Sequence, residues 1–296
     1  MKGQPGMRTY GPTNPEHVRI TTEELGPMVP LRSNDIEQWT AKVGMILRCT
    51  VGSTLHGTAI EGQDDTDEMG IAVEPAETAL GLDVFEHYLY RSAEPDGPPK
   101  DGNSKVSGPG DLDLVVYSLR KYAGLAAKGN PTVLLPLFAP DSAIQYQTEL
   151  GEELRALRGM FLHRQSGERF RQYMRSQRTG LMGLRSGGTR NQGRQDIRDK
   201  YGYDVKFAMH MIRLGYQGLE LMRSGEISIP MNDRDLTTLQ EVRQGGRTKE
   251  WCLNEAVILE NKLETAMAHS RLPDQPDYAR INMWLVDAHL RHWGRA

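Results

Sequence analysis

The sequence predicts an α+β fold: a small mixed sheet followed by a largely helical half. Three observations lead there. Short apolar runs bounded by turn residues fall at 45–51, 69–73 and 111–117. From about Thr148 the apolar spacing turns almost wholly helical. Acidic residues stand at the heads of the second and third runs, where strand geometry would bring them to one end of a sheet.

At 296 residues, with 38% apolar and 25% charged residues and a net charge of −3, the chain can bury a substantial core and is no disordered or globally basic polymer. Cys49 falls in a predicted core strand and Cys252 in a predicted helix, so both read as small buried hydrophobes, and with no disulfide framework or metal-type spacing the expected setting is reducing and cytoplasmic. No apolar run approaches a membrane span, and the polar N-terminus lacks a signal-peptide core.

Residues 1–34, rich in Pro, Gly, Thr and Arg, read as an irregular lead segment. Helical spacing runs from near Asp35 through Trp39 and Val43 into the first strand, Met45–Val51. Gly52-Ser53 then makes a turn that opens a very short helix, Thr54 to Gly57, with a loop around Gly62 before Asp65-Thr66-Asp67 and the second strand. Residues 86–91 suggest a strand or helical turn, and Glu94–Gly110 a Pro/Gly/Ser-rich loop. The third strand, Asp111–Tyr117, feeds a helix from Ser118 to about Lys128 that Gly129-Asn130-Pro131 ends. Beyond it, helices are expected at 152–164, 166–178, 203–224, 248–270 and 276–293, with a loop through Gly193. The organisation is 1–34 irregular, 35–145 catalytic and 146–296 helical.

Asp65 and Asp67 sit at i and i+2, so in extended chain both side chains point the same way. Paired carboxylates repel unless a proton or cation lies between them, and a hard divalent ion such as Mg²⁺ or Mn²⁺ suits them. Asp113 is the natural third ligand because it opens the third strand, with Asp111 in reserve. The Gly52-Ser53 turn offers backbone N–H groups and a hydroxyl to phosphates. Together these features predict a metal-dependent nucleotidyltransferase. Ser53 as a nucleophile is disfavoured, since there is no G-x-S-x-G elbow and His56 has no orienting carboxylate at suitable spacing. No P-loop string occurs either.

Lys206, His210 and Arg213 recur at i, i+4 and i+7 and share one face of the 203–224 helix, suited to a triphosphate clamp. Arginines recur between Arg155 and Arg198, which suggests a groove for a polyanion, although several should pair with nearby acids. The loop Arg185-Ser-Gly-Gly-Thr-Arg190 could close over a ligand.

Gly52-Ser-Thr-Leu-His-Gly-Thr followed by Asp65-Thr-Asp-Glu-Met-Gly resembles the nucleotidyltransferase signature of the DNA polymerase β superfamily. The usual Ser-Asp-x-Asp stands here as Asp64-Asp65-Thr66-Asp67, with an acid in place of the small hydroxyl residue. Asp113, the Tyr117–Tyr122 and Lys128–Pro131 segments, and Lys200-Tyr-Gly-Tyr-Asp-Val-Lys206 with His210 and Arg213 resemble one branch, the nucleotidyltransferases associated with RNA ligases in bacteria and phages. The resemblance spans roughly residues 43–290. It implies a polymerase-β-type palm with a helical domain, and NMP transfer from an NTP with divalent metal. It adds Lys200 and Tyr203 to the expected nucleotide contacts and makes an RNA end the expected acceptor. Two rival readings stand beside it. One is a toxin- or defence-type enzyme that modifies tRNA or a protein hydroxyl; the other is a nucleotide-binding module without turnover.

Overall fold

Alternating faces build the sheet, and the computed structural model describes it within residues 36–60, 62, 64–94, 107–184 and 192–294. The lead segment 1–34, most of the 94–110 loop and the Arg185–Arg190 loop lie outside the described residues.

The first half runs α1 (Ile36–Val43), β1 (Met45–Thr50), α2 (Gly52–Leu55), β2 (Thr66–Ala72), α3 (Ala76–Leu80), β3 (His87–Arg91) and β4 (Leu112–Ser118). It continues with α4 (Leu119–Ala126), α5 (Pro131–Phe138) and β5 (Ile144–Gln147). The strands form one mixed sheet in the order β3-β4-β2-β1-β5. β2 and β4 are parallel, and the other neighbours are antiparallel. Between residues 45 and 47 the register of β1 shifts, and from there Leu47 pairs with Ile71 and Cys49 with Met69.

All four of these side chains are buried under the helices, each contributing roughly 1.5–3 kcal/mol of transfer free energy where the side chain is a large aliphatic. The opposite face carries Ala72, Leu114 and Val116, covered by Ala41 of α1 and by Phe85. On that face Arg48 and Glu68 form a buried ion pair. Cys49 and Cys252 are both free and buried, as their places in a strand and a helix suggest.

The helical half comprises α6 (Glu149–Ala156), α7 (Gln165–Leu181), α8 (Gln192–Tyr201), α9 (Val205–Ser224), α10 (Asp233–Arg243), α11 (Lys249–His269) and α12 (Tyr278–His292). The expected helices at 152–164 and 166–178 are α6, a 3-10 turn at Arg158–Phe161, and α7. α9 is the central helix, packed against α7, α10 and α11. Its start is fixed by Asp204, whose carboxylate accepts the Phe207 N–H at 3.1 Å, and its end by Gly225 at φ +74°. Gly218 lets α7 come close: a Cβ there would lie 2.8 Å from the Phe170 Cβ. The main apolar cluster is continuous from Ile46 in the sheet to Ala288 in α12.

Much of the arginine series holds helices together. Arg175 and Arg178 on α7 both reach Glu260 on α11, and Arg171 reaches Glu168 and Glu264. Arg158 pairs with Glu226, Arg164 with Asp274 and Arg155 with Asp141. Among the described residues, no helix is long and apolar enough to cross a membrane.

Candidate active site

The parallel register of β2 and β4 sets Asp67 opposite Asp113. Facing residues of a parallel pair project from the same side, here the side under α7 and α9. Asp65 lies two residues before Asp67 and joins them. One oxygen from each of Asp65, Asp67 and Asp113 falls within 4.8 Å of the others, the one such group with metal-ligand potential among the described residues.

Gly52 closes in on this group from the end of β1. Its φ is +67°, and a Cβ would sit 2.0 Å from Asp67 Oδ2. Glycine is therefore required twice, for the left-handed turn and for the approach of the backbone to the carboxylate. The Val51 N–H donates to the Asp67 carbonyl at 2.8 Å and pins the turn to β2.

Asp113 accepts hydrogen bonds from Ser107 Oγ at 2.6 Å and from Arg91 Nε at 3.3 Å. Arg91 is its register partner on β3. Neither Arg91 nor Ser107 stands out in the sequence; the only local signal is the strand-like reading of 86–91. Asp111, the reserve ligand, is occupied elsewhere: it accepts from Ser92 Oγ at 3.0 Å and from the Gly108 N–H at 2.9 Å. It shapes the entry to β4.

A cleft of about 520 Å³ opens over the carboxylates. Gly52, Asp67 and Asp113 form its floor, Tyr173 and Gln177 of α7 one wall, and Phe207, His210 and Arg213 of α9 another. Arg213 Nε is buried with no hydrogen-bond partner among the described residues. Its burial lowers the guanidinium pKa to about 10 even though Asp67 pulls it upward.

The acids repel as expected. Burial first, then the charges of Asp65 and Asp113, push the Asp67 carboxyl up to about 6. Asp65 is raised as well, chiefly by burial and then by Asp113, against the lowering effect of its own backbone N–H and of Lys206. Three oxygen-donor side chains whose mutual repulsion favours proton uptake match the needs of a hard divalent cation.

Lys206 stands at the rim. Its Nζ donates to Asp64 Oδ1 at 2.8 Å, and Arg243 Nη2 reaches the same carboxylate at 2.9 and 3.1 Å. Burial works to raise the Asp64 pKa, but the bonds from Lys206 and the Ile60 N–H, with the Arg243 charge, hold it below the usual carboxylate value. Arg243 closes α10, 179 residues from Asp64 along the chain, and no local sequence pattern links them.

The structure thus gathers Asp65, Asp67, Asp113, Gly52, His210 and Arg213, with Lys206 beside them. Ser53, Lys200 and Tyr203 do not line the cleft. The Ser53 carbonyl closes the turn by accepting the Thr58 N–H at 3.0 Å. Lys200 is exposed, with its ammonium 4.9 Å from the centre of the Tyr201 ring. Tyr203 is buried and its hydroxyl donates to the Arg247 carbonyl at 2.6 Å.

No protein of curated function matches the sequence. A solved structure described as a nucleotidyltransferase-like protein from Exiguobacterium sibiricum aligns over 86% of this chain and 74% of its own, with 10% identity and a TM-score of 0.28. So distant a likeness carries no argument about individual residues. The family model described as RlaP, RNA repair pathway DNA polymerase beta family, matches residues 32–287, and on that match the chain belongs to this DNA polymerase β family.

Proposed function

We propose that the protein transfers an NMP from an NTP to a hydroxyl acceptor, an RNA end, and releases pyrophosphate. The observation that carries this reading is the convergence of Asp65, Asp67 and Asp113 at the floor of a cleft whose wall presents His210 and Arg213. Mg²⁺ or Mn²⁺ is the metal that the donor set fits, with Asp65, Asp67 and Asp113 as its ligands. When bound, such an ion acidifies an attacking hydroxyl and neutralises charge on the leaving group.

The residues divide the remaining work. The acceptor oxygen attacks the α-phosphorus, the bond from the α-phosphorus to the bridging oxygen breaks, and Asp113 takes the hydroxyl proton. Arg91 and Ser107 hold that carboxylate in place. The Gly52 backbone at the cleft floor receives the β,γ-phosphates, where no Cβ obstructs them. Arg213 supplies a planar fork and His210 a ring N–H to phosphate oxygens. Phe207 and Tyr173 line the cleft with apolar surface that excludes water. On this reading residues 35–145 carry the reacting groups and 146–296 the clamp. The family's description as an RNA repair group favours RNA as acceptor.

The test incubates the protein with each α-labelled NTP, Mg²⁺ or Mn²⁺, and either defined RNA oligonucleotides or a cell lysate. Label on RNA supports the proposal. Label on protein alone moves the acceptor to a protein hydroxyl, and no transfer under any condition removes the activity.

A further inference from the structure

Asp64 precedes the first metal-binding candidate, yet it stands outside the group of three acids. Its side chain is 4% exposed and accepts from two cations that come from different helices, Lys206 of α9 and Arg243 of α10. The Ile60 N–H completes the set at 2.9 Å, so the carboxylate also closes its own loop. The two cations differ in freedom. The Arg243 side chain is only 5% exposed, whereas that of Lys206 is 33% exposed. Arginine's rigid fork suits the permanent partner, and lysine, a point charge with three rotatable donors on a flexible stem, suits an exchangeable one.

Charge points the same way. Within this cluster one carboxylate faces two cations, so the cluster by itself is net positive. Lys206 already acts on both Asp65 and Asp67 through its charge, and it lies one helical turn from His210 in the cleft wall.

We propose that Asp64 and Arg243 are positioning residues for nucleotide binding: Arg243 holds Asp64, and Asp64 aims the Lys206 ammonium at the polyphosphate. The idea rests on the nucleotidyltransferase reading above. Lys206 keeps one donor on Asp64 and turns the others to phosphate oxygens. Asp64 touches no reacting atom and acts only through Lys206.

This makes a prediction that a purely structural ion pair does not. In a double-mutant cycle read by direct binding of NTP with Mn²⁺, Asp64→Asn and Lys206→Met should each weaken affinity about 10-fold, and the pair together by about the same 10-fold. Independent losses would multiply to about 100-fold instead. If Asp64→Asn fails to fold, Arg243→Gln replaces it in the same cycle, because loss of Arg243 frees Asp64 from its second cation and so loses the aim of the Lys206 ammonium. Multiplying losses, or unchanged NTP affinity in Asp64→Asn, overturn the positioning role while the wild-type protein still binds NTP. A wild-type protein that binds no NTP at all overturns this proposal and the nucleotidyltransferase reading together.

Discussion

Asp67 on β2 and Asp113 on β4 are register partners across the parallel centre of the sheet. Backbone hydrogen bonds, rather than side-chain contacts, therefore deliver two like charges to one point, and Asp65 adds a third. The site is built into the sheet. Folding accepts the repulsion because strand pairing and the apolar face beneath it outweigh the repulsion.

That repulsion has a measurable sign. The Asp67 carboxyl is raised to about 6, so the native state holds a proton that the unfolded chain has already lost above pH ~4. Its contribution is complete below pH ~4 and disappears as pH rises through about 6. Metal-free Asp67→Asn should consequently melt above the wild type at pH 8, by about 2–4 °C for each kcal/mol relieved, with the gap closing toward pH 5. Added Mg²⁺ or Mn²⁺ should reverse the order by stabilising only the wild type. Thermal melts across pH, with and without metal, read both effects.

Gly52→Ala should cost activity more than stability. Adopting φ +67° costs an alanine about 1–2 kcal/mol, and its Cβ would displace Asp67 Oδ2 from 2.0 Å. Turnover should fall at least 100-fold in a protein that still melts cooperatively. Full activity would show that Asp67 has room the structure does not give it.

Arg213→Met removes the guanidinium whose Nε lacks a partner among the described residues. NTP affinity should drop about 10–100-fold, within the range for losing a charge-assisted hydrogen bond. Stability should hold or rise, because no protein hydrogen bond to Nε is lost. Binding isotherms beside melting curves separate the two.

Tyr203→Phe is the contrasting case. Its hydroxyl is committed to the Arg247 carbonyl, so the variant should lose about 1 kcal/mol of stability while NTP affinity and turnover stay unchanged. Weakened NTP binding with unchanged stability would return Tyr203 to the nucleotide contacts.

The legible parts of the sequence were those with strong local patterning. β1, β2 and β4 stood out as apolar runs, and α9, α11 and α12 by their spacing and flanking turns. The three carboxylates were readable because strand periodicity alone aligns Asp65 with Asp67. β5 was missed: Ile144–Gln147 is a four-residue edge strand whose partner among the described residues is β1, a hundred residues upstream. α5 was missed too, since Pro131 and Pro136 disguise a helix that tolerates one proline at its first position and a second inside. β3 is an edge strand with an exposed or half-buried face, which leaves little alternation to read. The Asp64–Lys206–Arg243 cluster and the Arg91–Asp113 contact are tertiary, and no spacing rule reaches 142 or 179 residues. The arginine series misled in part, because arginine composition looks the same whether its partners are phosphates or Glu260 and Glu264.

Nucleotidyl transfer is tested most directly by measuring label transfer from α-labelled NTP to an RNA end by wild type and Asp113→Asn, at matched folded concentration, with saturating Mn²⁺ and without metal. Wild type should transfer label only with divalent metal, and Asp113→Asn, with its fold otherwise intact, should lose at least a thousandfold. Transfer that proceeds equally well in Asp113→Asn, or that needs no divalent metal, would contradict the three-carboxylate metal mechanism.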